Sequence, residues 1–547
     1  MSRIRRWVWL VPLITLIAAP QSSRADDYAD EMYVAPRAPV GGIAVWFSDT
    51  SYLNRAPTQL MGVDKDRGAH LCTTIATGEC SALWSVNYSA QLPQCRTAES
   101  VDCVKEIYAI DESGKRIDGT FIKQVPNEVS YPYVPDVARG LVAGESSTVW
   151  KIPGVSPITE NFAVVAYKGS AVYLDEKSGK YPTFPFGEMQ IAIYPVIRDV
   201  NPGYDVNQII IRDKNGDGIL DYDLQGLSKI PVNGCALTGK GECYLRKPFP
   251  DAIRFGVTMR LSQSPIGWVH GRMQEPSLSF TKVGNAYELS VTAGSVAVPE
   301  VGGAATADQI VPGLLQSNDA IGGTAAPSPS GQESIRVMRL WLKILGDKAV
   351  AMPREWFFRT LTQGELQGAD QCITGYQGLA GFVTTNSTTY AGGPPVFNKE
   401  TQSLDYQVAS PHFARDGSIF KGTYTLVMRA DVARCLYKFT NAPIKATISV
   451  VSENGDANSV ATEAVVEKDG WFSLSANGFT FSSPTLRVKL SQDQPAQSAA
   501  APVASPAASS VAKAAPVKKV TISCKKGKTT KKVSGTSPIC PVGYKKI

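Results

Sequence analysis

One stretch of the sequence has the residue types and the spacing of a calcium-binding loop. It reads DKNGDGILDYD and runs from position 213 to 223. Oxygen-bearing side chains alternate along it, Gly218 permits a sharp turn, and calcium takes about six to eight oxygen ligands. We predict a structural calcium site with ligands from Asp213, Asn215, Asp217, Ile219 (through its carbonyl), Asp221 and Asp223.

The loop departs from the EF-hand pattern in two ways. Leu224 stands where the last glutamate ligand is expected, so Asp223 would have to substitute for it. The preceding residues, QIIIR, predict a strand instead of a helix. A solvated Asn-Gly or Asp-Gly turn between two strands is the alternative interpretation.

The ten cysteines predict a disulfide framework. Their number is even, and three neighbouring pairs share a spacing of seven intervening residues. The sequence contains no C-x-x-C motif and only three histidines, which disfavours zinc. Sequence-order pairing is the simplest prediction, and nested pairing of the first four cysteines stays open. The predicted pairs are Cys72–Cys80, Cys95–Cys103, Cys235–Cys243, Cys372–Cys435 and Cys524–Cys540.

The N-terminus has the pattern of a secretory signal peptide over residues 1–25. Three arginines precede a short apolar run over 7–19, and Ser23 and Ala25 occupy the small-residue positions of a cleavage site. An uncleaved anchor is the alternative. Export to an oxidising compartment agrees with the cysteine pattern.

Charge is distributed unevenly between the body and the C-terminus. Residues 26–517 hold 42 basic and 49 acidic residues, a net charge of −7, whereas residues 518–547 hold nine lysines and no acid. A cationic tail on an exported protein predicts binding to anionic cell-envelope polymers or glycans and not to nucleic acid. The predicted contacts are Lys518, Lys519, Lys525, Lys526, Lys528, Lys531 and Lys532.

Strand-like runs separated by Gly, Pro, Asn and Asp clusters predict a mostly β protein with two or more antiparallel sandwich-like domains. A flexible lead-in is expected over 26–39, a first β-rich region over 40–298 and a second over 333–491. The Gly/Ala/Pro/Ser-rich residues 299–332 favour a linker between them, with a long surface excursion as the alternative. The segment SIRVMRLWLKIL at 334–345 is compatible with a helix or a strand, and its bulky β-branched and aromatic residues favour a strand. Residues 492–517 form an Ala/Pro/Ser spacer before the two-cysteine tail over 518–547.

Enzyme motifs are missing from the sequence. It lacks a Gly-x-Ser-x-Gly elbow, a phosphate-binding P-loop and a His-Glu-x-x-His motif. No catalytic residue is therefore assigned, and His270 and His412 are interpreted as packed residues near strand ends. We expect a structural or adhesive surface protein. The alternative is a secreted hydrolase of polysaccharide or peptide, with 40–298 as its catalytic region.

The C-terminal sequence TISCKKGKTTKKVSGTSPICPVGYKKI resembles a module of exported proteins from Gram-positive, high-GC-type bacteria. REWFFRTLTQGEL, DYQVASPHFARDG and VMRADVARCLYKFTNAPIKATISVV are similar to segments of secreted proteins of such bacteria. The resemblance begins at about residue 331. It implies a surface location and a modular β build, and it brings no catalytic residues.

The calcium site predicts that a chelator lowers thermal stability. An ion that binds only the folded chain raises the melting temperature, by several degrees when the ion is in large excess over its Kd. Melting curves with millimolar calcium and with chelator should differ for the native protein and coincide for Asp217→Ala. Identical curves for the native protein would rule out the site.

Overall fold

The computed structural model describes two compact units, 1–493 and 494–547. The described residues are 37–49, 58–66, 68–125, 131–200, 208–212, 221–225, 235–239, 242–315, 321–440, 444–451, 457–461, 466–481, 485–492, 520–526, 529–535, 540 and 544–546. The predicted signal peptide, most of the lead-in and residues 493–517 of the predicted spacer lie outside them.

The protein is mostly β, as predicted. The first strands are β1 (Ile43–Phe47), β2 (Gln59–Val63), β3 (Ala69–Leu71), β4 (Ser85–Gln91), β5 (Cys103–Ile110), β6 (Arg116–Asp118), β7 (Thr120–Val125), β8 (Ser147–Lys151), β9 (Asn161–Tyr173), β10 (Glu188–Asp199), β11 (Gln208–Arg212) and β12 (Asp221–Gln225). The next are β13 (Cys235–Gly239), β14 (Glu242–Arg246), β15 (Arg254–Leu261), β16 (Gly267–Arg272), β17 (Gln274–Val283), β18 (Ala286–Gly294), β19 (Val296–Ala297), β20 (Val301–Ala305) and β21 (Thr324–Ala325).

The remaining strands follow residue 350. They are β22 (Arg354–Glu355), β23 (Phe357–Thr360), β24 (Leu379–Thr385), β25 (Thr389–Tyr390), β26 (Val396–Asn398), β27 (Ser403–Ala409), β28 (Gly422–Arg429), β29 (Ile444–Val451), β30 (Ala457–Ala461), β31 (Val466–Lys468), β32 (Trp471–Phe479), β33 (Thr485–Gln492), β34 (Val520–Lys526), β35 (Thr529–Gly535) and β36 (Lys545–Lys546).

Helices are few in the described chain. They are α1 (Gln332–Leu345), α2 (Gln371–Thr374) and α3 (Ala430–Tyr437), with short 3-10 turns at Glu79–Ser81, Val137–Arg139 and Ala307–Gln309. Within the residues that the structure describes, no helix combines the length and the apolar character needed to cross a bilayer.

A single large sheet contains strands from both sides of the predicted linker. Its main path is β3-β2-β4-β9-β10-β23-β16-β24-β28-β32-β31. Strand β23, which follows the linker in sequence, lies between β10 and β16, which precede it. A five-stranded sheet, β17-β18-β15-β5-β6, packs against this sheet through contacts such as Phe255 with Phe162. The two β-rich regions of the sequence therefore share one sheet.

The stretch predicted as a linker, 299–332, instead contains two strands of the first unit. Strand β20 pairs with β1 in antiparallel register, and β21 pairs with β1 in parallel. The small residues of β20 serve close packing: a Cβ on Gly303 would lie 2.4 Å from a methyl carbon of Leu345 at the end of α1. The small residue at position 303 therefore allows β20 to pack closely against α1.

The strand predicted over 334–345 is wrong, because these residues form α1. Ile335, Met338 and Trp341 recur at three-residue spacing and are buried together on one helix face. Gly346 ends the helix in the left-handed conformation and donates its N–H to the carbonyl of Leu342. Bulky residues favoured a strand in the sequence, and the burial of one helix face outweighs that preference.

Four disulfides of the body confirm sequence-order pairing. Bonds join Cys72 to Cys80, Cys95 to Cys103, Cys235 to Cys243 and Cys372 to Cys435, which excludes the nested alternative. In the second unit Cys540 is also disulfide-bonded. The side chain of Cys524 lies outside the described residues, so its pairing with Cys540 stays a prediction.

A fully buried arginine connects three parts of the first unit. Arg272 of β16 donates from Nε to Asp49 Oδ2 at 2.6 Å, just beyond β1. Its Nη1 donates to the carbonyl of Thr385 at the end of β24 (2.9 Å) and to that of Ser387 (2.5 Å), and its guanidinium lies 4.5 Å from the ring centroid of Tyr390. A buried charge needs such partners, because its desolvation is otherwise costly.

A second buried group, Glu300, ties β1 to the chain before β20. Its carboxylate accepts hydrogen bonds from Trp46 Nε1 (3.2 Å) and Ser48 Oγ (2.8 Å). Burial raises the pKa of Glu300 to about 7, because it disfavours the charged carboxylate. The two hydrogen bonds lower the pKa and so oppose this effect. The folded chain therefore holds a proton on Glu300 more tightly than the unfolded chain does.

This raised pKa predicts a pH dependence of stability that Glu300→Gln removes. The contribution of Glu300 is complete below its unfolded pKa of 4.5 and is lost as pH rises through about 7. The loss is on the order of 3 kcal/mol. Urea unfolding at pH 4.5, 6 and 8 should show a smaller decline for Glu300→Gln than for the native protein. The exposed Glu112→Gln is the control, and equal pH slopes in all three proteins would contradict the prediction.

Candidate polyanion-binding site

The second unit contains a three-stranded antiparallel sheet with β34 at its centre. Strand β34 pairs with β35 from Val520↔Gly535 to Lys526↔Thr529, and with β36 at Cys524↔Lys546 and Lys525↔Lys545. Threonine, valine and isoleucine recur in β34 and β35, as is typical of strands. Because only two residues separate β34 from β35, the two strands pair as neighbours in a hairpin.

The register of this sheet places three lysines on one face. Side chains alternate between faces along a strand, and directly paired residues share a face. Lys525, its partner Lys545, and Lys532, whose partner is Ser523, therefore lie on the same side. We call this surface the cationic face; its described members are Lys525, Lys532, Lys545, Thr521, Ser523 and Thr530.

The members of the cationic face are accessible to solvent. The three lysines, Thr521 and Thr530 are exposed, and Ser523 is half-buried. The opposite face differs, since its register positions include Val520, Ile522, Cys524 and Val533. The lysines of the cationic face are therefore accompanied by hydroxyl groups that donate hydrogen bonds, with no apolar residue among its described members.

Like charges are held close together on the cationic face. Directly opposite residues in an antiparallel pair have Cβ atoms about 4.5–5.5 Å apart, and diagonal neighbours are about 7–8 Å apart. Lys525 is directly opposite Lys545 and diagonal to Lys532. Like charges directly opposite each other destabilise a sheet, and a bound anion would relieve this repulsion.

No acidic residue of the second unit is available to neutralise these lysines. Residues 494–547 contain ten lysines and no aspartate or glutamate. A single exposed ammonium group binds an anion weakly, so affinity has to come from several groups that contact one polymer together. The chemistry of the cationic face suits a polymer with repeated negative charges.

The sheet brings together only some of the lysines predicted from sequence. Lys525 and Lys532 share the cationic face, whereas Lys526 and Lys531 take register positions on the opposite face. Lys518, Lys519 and Lys528 lie outside the described residues. The sequence prediction omitted Lys545 and Lys546, which follow the earlier lysine cluster by more than ten residues; their pairing with β34 makes Lys545 part of the site.

The predicted calcium loop is connected to a β-hairpin. Strands β11 and β12 pair from Gln208↔Gln225 to Arg212↔Asp221, which confirms the strand predicted for QIIIR. Asp221 and Asp223 lie in β12, two positions apart and thus on one face. The other predicted ligands, Asp213, Asn215, Asp217 and Ile219, lie outside the described residues. Among the residues that the structure describes, no group of three or more His, Cys, Asp or Glu residues is arranged to hold a metal.

The three histidines are distributed over separate parts of the first unit. His70 lies 2.9 Å from Asp64 and His412 lies 2.5 Å from Asp347, measured between ring nitrogen and carboxylate oxygen. His270 is buried inside β16, and its ring stacks on Tyr390 at 3.7 Å. Burial, together with the positive charges of Arg272 and Arg359, lowers the pKa of His270 well below its ordinary value.

Comparison with family models, curated proteins and solved structures found no match to this chain.

Proposed function

We propose that this chain is an exported, non-catalytic β protein of the cell envelope, retained there by its C-terminal unit. The observation that carries the proposal is the cationic face, on which Lys525, Lys532 and Lys545 are exposed side by side in a unit without acidic residues. Its partner would be an anionic envelope polymer or glycan. The role of the body would be structural or adhesive.

The opposite charges of the body and the tail support different roles for them, with only the tail binding the polymer. With a net charge of −7 over 26–517, the body repels the polymer that the tail attracts. The predicted spacer over 492–517, when extended at about 3 Å per residue, spans up to about 80 Å. Exposed charges are screened beyond about 10 Å at 0.1 M salt, so repulsion of the polymer by the body would act only over short distances.

Disulfides support the exported location. Oxidised cysteine pairs persist in extracellular and periplasmic compartments and are rare in the cytosol. Cleavage of the leader would leave a mature chain beginning at Asp26. We also propose that the sheets of the body pack in antiparallel sandwich-like layers, and that the 213–223 loop holds one structural calcium ion.

The cationic face predicts that retention on the envelope depends on specific lysines and on salt. The triple variant Lys525→Gln, Lys532→Gln, Lys545→Gln should leave the envelope fraction at lower sodium chloride than the native protein. Loss of three contacts should also reduce the slope of log affinity against log salt by about 2 to 3. The measurements are salt elution of full-length protein from host envelopes and binding to a purified anionic envelope polymer.

The matched control is Lys526→Gln, Lys531→Gln, Lys546→Gln, which removes the same charge from the opposite face of the same sheet. This control should be retained nearly as well as the native protein. Equal release of the two triple variants would show that total charge matters and the arrangement does not. Retention of both at the native level would refute the role of the tail.

A further inference from the structure

The disulfide between Cys372 and Cys435 differs from the other three of the body in its accessibility. Cys435 is exposed and Cys372 is half-buried. Each of the other bonds has at least one deeply buried cysteine: Cys72 is 2% exposed, Cys103 is 2% and Cys243 is 0%. Thiol–disulfide exchange requires that a thiolate reach a sulfur atom, so access controls which bond reacts.

A surface groove leads to this disulfide. It has a volume of about 430 Å³, and both cysteines line it. Its other walls come from α2 and the residues after it, Gln371, Gly375 and Tyr376, and from Asp431 and Val432 of α3. Tyr376 donates a hydrogen bond from its hydroxyl to Asp431 at 3.3 Å across the groove. The groove is large enough to admit a small organic thiol.

The fold would hold both cysteines in place after reduction. Ile373 and Leu436 follow the two cysteines directly, and both are buried in one hydrophobic core together with Val432. Strand β24, which follows α2, pairs with β28, which precedes α3, with Gly381 opposite Met428. These contacts do not depend on the disulfide, so the two thiols would stay close enough to oxidise again.

We propose that Cys372–Cys435 is a reversible thiol-exchange site for small-molecule thiols. A reagent thiolate attacks Cys435 Sγ and forms a mixed disulfide, while the sulfur of Cys372 leaves as a thiolate and takes up a proton. A second reagent thiolate attacks the reagent sulfur of the mixed disulfide and releases Cys435. Two reagent thiols are thereby oxidised to one disulfide, and the protein disulfide is reduced to two thiols.

The test is selective reduction of the folded full-length protein. Dithiothreitol is added without denaturant, samples are quenched with iodoacetamide at intervals, and alkylated cysteines are located by mass spectrometry. Cys372 and Cys435 should be alkylated at least tenfold faster than the other three disulfide pairs of the body, and exchange of the reductant for oxidised glutathione should restore their bond, with two glutathione thiols released. Cys95–Cys103, whose Cys95 is also half-buried, is the internal control.

A pair of variants tests whether the groove is the route of entry. Gln371→Trp, which narrows the groove, should slow reduction of Cys372–Cys435 at least threefold, whereas Gln377→Trp, an exposed position outside the groove wall, should leave the rate unchanged. Reduction of Cys95–Cys103 at an equal rate, loss of all disulfides in one step, or an unchanged rate in Gln371→Trp would each overturn the proposal.

Discussion

Antiparallel hydrogen bonding of β34 to both of its neighbours determines which lysines of the C-terminal unit share a face. A strand between two partners has a fixed register on each side, and a shift of one residue would move every side chain to the other face. In the observed register, Lys525, Lys532 and Lys545 come together although they are up to 20 positions apart in sequence. A short backbone ladder thus converts a lysine-rich sequence into a localised positive surface.

Some charges of the body are used in the opposite way, inside the core. The fully buried Arg272 is paired with Asp49 and with backbone carbonyls, so its charge stabilises the fold and does not contact solvent. Glu300 is held by Trp46 and Ser48 in a similar setting. At these positions of the first unit charged side chains are buried and paired, whereas the lysines of the cationic face are exposed.

Local sequence signals predicted much of what is local in the structure. The shared spacing of Cys72/Cys80, Cys95/Cys103 and Cys235/Cys243 predicted their pairing, because a bridge across a short loop needs only neighbouring residues. Long-range pairing left no comparable signal. Strand β23 follows residues 299–332 in sequence and pairs with β10 and β16, which precede them. The composition of 299–332 favoured a linker and did not indicate this pairing. Residues 332–345 form the helix α1 and not a strand, because the helix buries Trp341 and its neighbours on one face.

The most direct test of the central claim is a lysine acetylation footprint of the full-length protein with and without a linear polyphosphate. Mass spectrometry reports the modification of each lysine, and a neutral glucan of similar length serves as the control. The account predicts that polyphosphate protects Lys525, Lys532 and Lys545 more strongly than Lys526, Lys531 and Lys546, and that added salt abolishes the difference. Equal protection of the two sets, or protection confined to lysines of the body, would contradict it.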